Sequence, residues 1–154
     1  MLHLTQSHSF HIKMGLGRAT NNMVGLLDVK NLLLFSIEKR CKNIQIFGDS
    51  LLVINYINST HQRHHLLHFP IVEGQHWLKT SFYSFSCSHI YREQNNVTYA
   101  LSKGNLEMDT RLSHIQEIQD ETTFEFYHRP YINYHDVLEA IDMLQFWKFY
   151  SIFA

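Results

Sequence analysis

The segment Ile44-Gln-Ile-Phe-Gly-Asp49-Ser50 decides the fold of this chain. Its alternating apolar residues predict a short strand, and Asp49 stands where that strand ends. The apolar run over residues 51–57 predicts a helix that Ser50 can cap. In open α/β sheets, side chains at strand ends project into a crevice, where such proteins place their chemistry. Asp49 is therefore the first candidate site residue.

Length and composition indicate an ordinary globular domain. The chain has 154 residues, 45% of them hydrophobic and 18% charged, which suits one domain with a buried core. A net charge of −1 gives no overall attraction to nucleic acid. Two cysteines, Cys41 and Cys87, are too few for a disulfide framework and suit a reducing compartment. With no signal-peptide pattern and no membrane-length apolar window, we expect a soluble intracellular protein, nuclear or cytoplasmic.

Strand and helix patterns alternate around the central segment. Residues 2–14 predict one or two strands, and residues 20–22 can cap a helix over residues 23–40. The apolar residues of this helix fall on one face: Met23, Leu26, Leu27, Leu33 and Ile37. Further elements are predicted in chain order: a helix from Pro70, a strand at 84–91, a helix at 97–103, a strand at 123–127 and a helix near 136–149. This order predicts an α/β fold with some parallel strand pairing.

Three motifs together resemble a known family. Leu16-Gly-Arg-Ala-Thr-Asn-Asn22 opens a helix, Phe47-Gly-Asp-Ser50 ends a strand, and His89-Ile-Tyr-Arg-Glu-Gln-Asn-Asn-Val-Thr-Tyr-Ala-Leu-Ser-Lys103 runs from strand to helix. Over roughly residues 10–105 the chain closely resembles the ribonuclease H-like domain of plant retrotransposon-type reverse transcriptases. The resemblance implies a mixed sheet flanked by helices, nucleic-acid binding, and hydrolysis of RNA–DNA hybrids. We assign residues 1–105 to this domain, its first strand missing or replaced by residues 1–14, and residues 106–154 to a C-terminal extension.

The family's chemistry requires more acids than this chain supplies. The family holds two Mg²⁺ ions with four carboxylates, because hard cations prefer oxygen ligands. By resemblance Asp49 matches one of these positions, whereas Gly25 and Tyr99 occupy two others. No Asp precedes Asp28 and no Glu precedes Glu38, so the fourth has no counterpart. We expect Asp49 to bind Mg²⁺ weakly at best and the domain to be catalytically inactive.

Neighbouring acids are not expected to replace the missing carboxylate ligands. Asp28 follows Gly25 by three residues and Glu93 lies near a predicted strand end, and both are expected to be solvated surface acids. Gly25 itself costs a helix about 1 kcal/mol relative to alanine, and the motif shows no packing reason for it. We therefore favour decay of a mobile-element gene over recruitment of the fold as a nucleic-acid- or protein-binding module.

The remaining polar residues suggest where nucleic acid would contact the domain. The resemblance implies five contact residues: Asn21, Asn22, Ser50, Arg92 and Asn95. A basic run at Lys39, Arg40 and Lys42 is either a solvated helix end or part of a weak groove, with Arg92 and Lys103 flanking the last motif.

Four histidines cluster between the second and third predicted helices: His61, His64, His65 and His68. Their spacing is that of helical zinc ligands, but no acid or cysteine lies among them, so a polar connection is the simpler interpretation. Two classes of function stay open from the sequence, a hybrid nuclease and a non-enzymatic binding domain.

Overall fold

The computed structural model describes residues 1–15, 20–58, 69–103 and 112–128. The elements in chain order are β1 (Leu2–His3), β2 (His8–Met14), α1 (Asn21–Glu38), β3 (Asn43–Gly48), α2 (Leu51–Asn58), α3 (Phe69–Lys79), β4 (Ser84–His89), a 3-10 turn (Arg92–Gln94), α4 (Asn96–Lys103), β5 (Ser113–Gln119) and β6 (Thr122–His128). Every element predicted within the described ranges is present, with ends shifted by at most two residues. The histidine cluster and the helix predicted near 136–149 lie outside those ranges.

Within the part of the chain that the structure describes, the strands form two separate sheets. β3 and β4 pair in parallel, with Ile46 opposite Cys87, which confirms the predicted parallel pairing. The other four strands form an antiparallel sheet in the order β1-β2-β5-β6. The result is a mixed α/β fold with helices packed on the sheets, as the sequence predicted.

Helix α1 connects the two sheets through two hydrophobic clusters. The larger cluster joins α1 to β3, β4, α2 and α3, and includes the predicted face residues Leu26 and Leu27. The smaller cluster joins Phe35 of α1 to Phe10 of β2 and Ile115 of β5. Because α1 contributes to both clusters, it positions the end of β3 relative to the antiparallel sheet.

Strand β5 was not predicted, since the sequence after residue 105 suggested only a polar connection. The strand pairs with β2 along its whole length, from Ser113 opposite Met14 to Gln119 opposite His8. Only Ile115 and Ile118 are apolar in this segment, so its alternation is weak. Pairing with β2, rather than local pattern, creates the strand. The C-terminal extension thus contributes a hairpin to the same sheet, and the division at residue 105 stays a prediction.

The structure supplies the packing reason for Gly25 that the sequence did not show. Helices α1 and α2 approach so closely that a Cβ atom on Gly25 would lie 2.9 Å from Cγ2 of Val53. Val53 is buried in the larger cluster, so it has little room to move. Glycine at this position therefore permits close contact between the two helices.

Candidate functional site around Asp49

Asp49 lies between the end of β3 and the start of α2. The Oγ atom of Ser50 accepts a hydrogen bond from the backbone N–H of Val53 at 3.4 Å, which confirms the predicted cap. Because β3 and β4 are parallel, the residues that follow both strands meet at one edge. Arg92, after β4, donates from Nε to Oδ2 of Asp49 at 3.2 Å. The carboxylate of Asp49 is thus engaged by a cation of the chain itself.

A cavity of about 230 Å³ adjoins Asp49, between the two sheets and against α1. Its polar wall includes Asp49, Ser50 and Asn95, three of the residues singled out from the sequence, together with Gly25. Most of the remaining wall is apolar and comes from β2, α1, β3 and β5, including Ile12. The cavity therefore joins the predicted site residues to an apolar interior.

Asp28 is a second carboxylate of this cavity. It is exposed, as expected, but the space it faces is the cavity rather than an open helix surface. Its three-residue offset from Gly25 keeps both residues on the side of α1 that faces the gap between the sheets. Surrounding protein atoms raise the pKa of Asp28 to about 7 by desolvation, and the ammonium group of Met1 acts in the opposite direction. The sequence did not show this environment because it depends on the separation of the sheets.

The donor atoms of the described site do not fit a two-metal centre. Within the described ranges, no three His, Cys, Asp or Glu side chains come close enough to hold a metal ion. Gly25 offers no ligand atom, and the carboxylate of Asp49 already accepts a hydrogen bond from Arg92. Tyr99, at another family position, lies on α4. A Mg²⁺ ion would find Asp49 and Asp28 in this cavity, fewer acids than the family's set.

The predicted nucleic-acid residues lie at the start of α1, directly after β3, and in or next to the 3-10 turn that follows β4. Asn21 and Asn22 are exposed in the first turn of α1, one turn before Gly25. Glu93 is exposed within the 3-10 turn, in agreement with its expected role as a surface acid.

The basic run lies at the opposite end of β3. Lys39 caps α1, and its Nζ atom lies 5.1 Å from the ring centroids of both Phe10 and Phe35. The Nζ atom of Lys42 lies 5.5 Å from the ring centroid of Tyr83. These lysines precede β3, whereas Asp49 follows it, so the strand separates them by its length of six residues. They do not join the site around Asp49.

Ser113 is a cavity residue that the sequence analysis missed. It begins β5, is 3% exposed, and its Oγ atom has no hydrogen-bond partner among the described residues. It also lines the cavity opposite α1. Nothing in the local sequence marks this serine, because only the pairing of β5 with β2 brings it there.

Comparison with known proteins supports the fold and identifies the family. Residues 7–105 match the family described as reverse transcriptase-like. No curated protein matches the chain. The crystal structure of RNase H1 from the halophilic archaeon Halobacterium salinarum is similar, with a TM-score of 0.55 and 25% identity over 59% of this chain and 69% of that chain. No helix within the described residues is long and apolar enough to cross a membrane.

Because the family match over residues 7–105 spans more than half of the chain, the chain belongs to the reverse transcriptase-like family of ribonuclease H-like domains.

Proposed function

We propose that this domain binds RNA–DNA hybrid or another nucleic acid weakly and does not hydrolyse it. The observation that carries this proposal is the pairing of Asp49 with Arg92, since Asp49 is the one family carboxylate matched by the sequence. Family membership and the likeness to an RNase H1 support nucleic acid as the ligand. In this proposal the domain keeps nucleic acid as its ligand, as in the family, but does not catalyse the family's hydrolysis reaction.

The first turn of α1 and the segment after β4 have features that suit a phosphate backbone. The first turn of α1 contains no acidic side chain, and its free N–H groups give this helix end a partial positive charge. Asn21 and Asn22 are exposed there and can donate hydrogen bonds from their amide groups. The side chain of Arg92 is 69% exposed despite its contact with Asp49. These groups provide a few phosphate contacts, which is why weak binding is expected.

The surroundings of Asp49 are poorly suited to hydrolysis. Two-metal catalysis places both cations between several carboxylates, which offset their mutual repulsion. Here a guanidinium group lies 3.2 Å from Oδ2 of Asp49, so an approaching divalent ion meets a positive charge. Position 25 cannot regain a carboxylate without displacing Val53, because even a methyl group would lie 2.9 Å from its Cγ2 atom. The close packing of α1 against α2 therefore supports the proposed loss of catalysis.

The binding part can be tested by fluorescence anisotropy with a labelled RNA–DNA hybrid between about 50 and 200 mM salt. We expect log K to fall with log salt, and Arg92→Gln to reduce the magnitude of that slope by about 1. Lys42→Gln is the matched control because Lys42 lies at the other end of β3, and its slope should equal that of the unmodified protein. Affinity that does not change with salt would contradict a phosphate-binding site.

The catalytic part can be tested with the same hybrid in Mg²⁺ or Mn²⁺. We expect no product beyond the amount formed by Asp49→Asn. Cleavage by the unmodified protein that Asp49→Asn abolishes would show a working metal site and overturn the proposal. Asp49→Asn should also bind the hybrid at least as well, because it removes a negative charge beside Arg92.

A further inference from the structure

One edge of β3 has no neighbouring strand within the described part of the chain. The strand that pairs with β3 there is β4. The carbonyl group of Gly48 accepts a hydrogen bond at 2.9 Å from the backbone N–H of Ile90, just after β4, so the backbone groups of Gly48 point toward β4. Backbone groups of successive residues in a strand point to alternate sides. The opposite edge of β3 is therefore bordered by the backbone groups of Asn43, Gln45 and Phe47.

The backbone groups at this edge are available to another chain. Among the described residues, no further element forms a backbone hydrogen bond with Asn43, Gln45 or Phe47. All three side chains are exposed, and the large apolar side chain of Phe47 is 53% exposed. Unpaired N–H and C=O groups at a strand edge are a template for pairing with an extended chain. A further strand would satisfy the hydrogen-bonding groups of this edge.

A groove of about 720 Å³ lies along this edge. Residues 43–47 of β3 line it, together with residues 1–4 around β1 and Leu32 of α1. Its described lining residues include none from β4, so the groove lies on the side of β3 away from β4. Five residues of extended strand span about 16 Å. A peptide segment of that length can therefore lie beside β3.

The groove carries positive charge. Its described lining residues include three cationic side chains, Lys39, Arg40 and Lys42, and no acidic side chain. Arg40 and Lys42 are exposed. Lys39 lies 3.9 Å from the carboxylate of Glu38, but Glu38 does not line the groove. A cleft lined by charge of one sign attracts ligands of the opposite sign, so an acidic ligand is favoured here.

We propose that this groove binds an acidic, extended segment of a partner protein, which joins the open edge of β3 as an added strand. The N–H and C=O groups of the segment pair with those of Gln45 and Phe47, and its carboxylates contact Arg40 and Lys42. In this mode of recognition, main-chain hydrogen bonds supply affinity and side chains supply specificity. A nucleic-acid strand also meets cations, but it lacks the regular alternation of peptide donors and acceptors that pairs with a strand edge.

Binding can be measured by fluorescence anisotropy with the full chain and labelled hexapeptides, without nucleic acid. The first peptide alternates glutamate and valine, and the second has lysine in place of each glutamate. We expect the glutamate peptide to bind at least about tenfold more tightly than the lysine peptide, and its affinity to fall as salt screens the charges. A glutamate peptide with every backbone nitrogen methylated keeps its charge but cannot donate hydrogen bonds, so it should bind about tenfold more weakly.

Variants separate the strand edge from the charge. Gln45→Pro leaves every charge in place but removes an N–H group that points away from β4, a position at which an edge strand tolerates proline. It should weaken binding of the glutamate peptide about tenfold, whereas the matched control Gln45→Ala, which keeps the N–H group, should not.

The double variant Arg40→Gln/Lys42→Gln should weaken binding and reduce its salt dependence. Arg92→Gln, which removes a cation that does not line the groove, is its matched control and should change neither. Near-ultraviolet circular dichroism verifies that each variant is folded, and the double variant decides the question if Gln45→Pro does not fold.

The proposal is overturned if the glutamate peptide binds no more tightly than the lysine peptide, or if folded Gln45→Pro binds it as well as Gln45→Ala does. A labelled oligothymidylate tests the other class of ligand. If it binds and the double variant abolishes that binding while the glutamate peptide does not bind, the groove is a nucleic-acid site and the proposal is wrong. The peptide results do not bear on the proposed function, because neither Asp49 nor Arg92 lines the groove and the titrations contain no hybrid.

Discussion

The contact between Gly25 and Val53 predicts that a normally stabilising substitution will be harmful here. In an open helix, Gly→Ala stabilises by roughly 1 kcal/mol. At Gly25 the added Cβ atom would lie 2.9 Å from Cγ2 and 3.8 Å from Cγ1 of the buried Val53. Overpacking of this kind costs about 1–3 kcal/mol. Together, the two effects should lower the free energy of unfolding of Gly25→Ala by about 1 kcal/mol.

Removal of the two Val53 methyl groups that face Gly25 should make Gly25→Ala stabilising instead of destabilising. Val53→Ala alone should lower the free energy of unfolding by about 2 kcal/mol, since it deletes two buried carbons. In that background the Cβ atom at position 25 has space, so Gly25→Ala should become stabilising by up to about 1 kcal/mol. Urea unfolding of the unmodified protein, the two single variants and the double variant gives the interaction free energy directly, with an expected magnitude of about 2 kcal/mol.

Gly74→Ala is the matched control for this cycle. Gly74 lies within α3, and its added Cβ atom would meet only the far end of the Lys30 side chain, which is flexible. This substitution should therefore be neutral or stabilising. If Gly25→Ala has the same effect with and without the Val53→Ala substitution, the proposed close approach of α1 and α2 is refuted.

Three further predictions concern the core, the cavity and the thiols. Phe10→Ala should lower the free energy of unfolding, measured in urea, by about 3–5 kcal/mol. The reason is that Phe10 is 1% exposed and packs edge-on against Phe35, with ring centroids 5.2 Å apart. A decrease below about 1 kcal/mol would contradict its place in the smaller cluster. Asp28 binds its proton more tightly when folded, with a pKa of about 7 against about 3.9 when unfolded. Ionisation of Asp28 should therefore lower the free energy of unfolding as the pH rises from about 4 to about 7. Asp28→Asn should remove this part of the pH dependence of unfolding. Burial raises the pKa of Cys87 to about 11, so this thiol should react with a disulfide reagent at pH 8 only after unfolding, and rapid labelling of the folded protein would contradict that environment.

Several elements were predictable because their signals are local. The alternation of Ile44 and Ile46 marks β3, and the hydroxyl of Ser50 begins α2 within the same few residues. The apolar spacing of α1 likewise predicted its buried face, including Leu26 and Leu27. Each of these features depends on neighbours within about one helical turn, which a sequence displays directly.

The candidate site was only partly predictable. Asp49 was identified by its position after β3, but its pairing with Arg92, 43 residues later in the chain, depends on the parallel alignment of β3 with β4. The significance of Gly25 was also hidden, because the helix that contacts it lies elsewhere in the sequence. These contacts join residues that are distant in sequence, so local sequence patterns do not predict them.

The sequence by itself determined the alternation of strands and helices and the position of Asp49 directly after β3. Only the tertiary structure decided that residues 113–119 form a strand, since its few apolar residues become ordered by pairing with β2. That pairing, together with the separate β3–β4 sheet, leaves the cavity that contains Asp28 and Ser113. Cavities depend on how whole elements pack together, and packing is a property of surfaces that meet only in the folded chain.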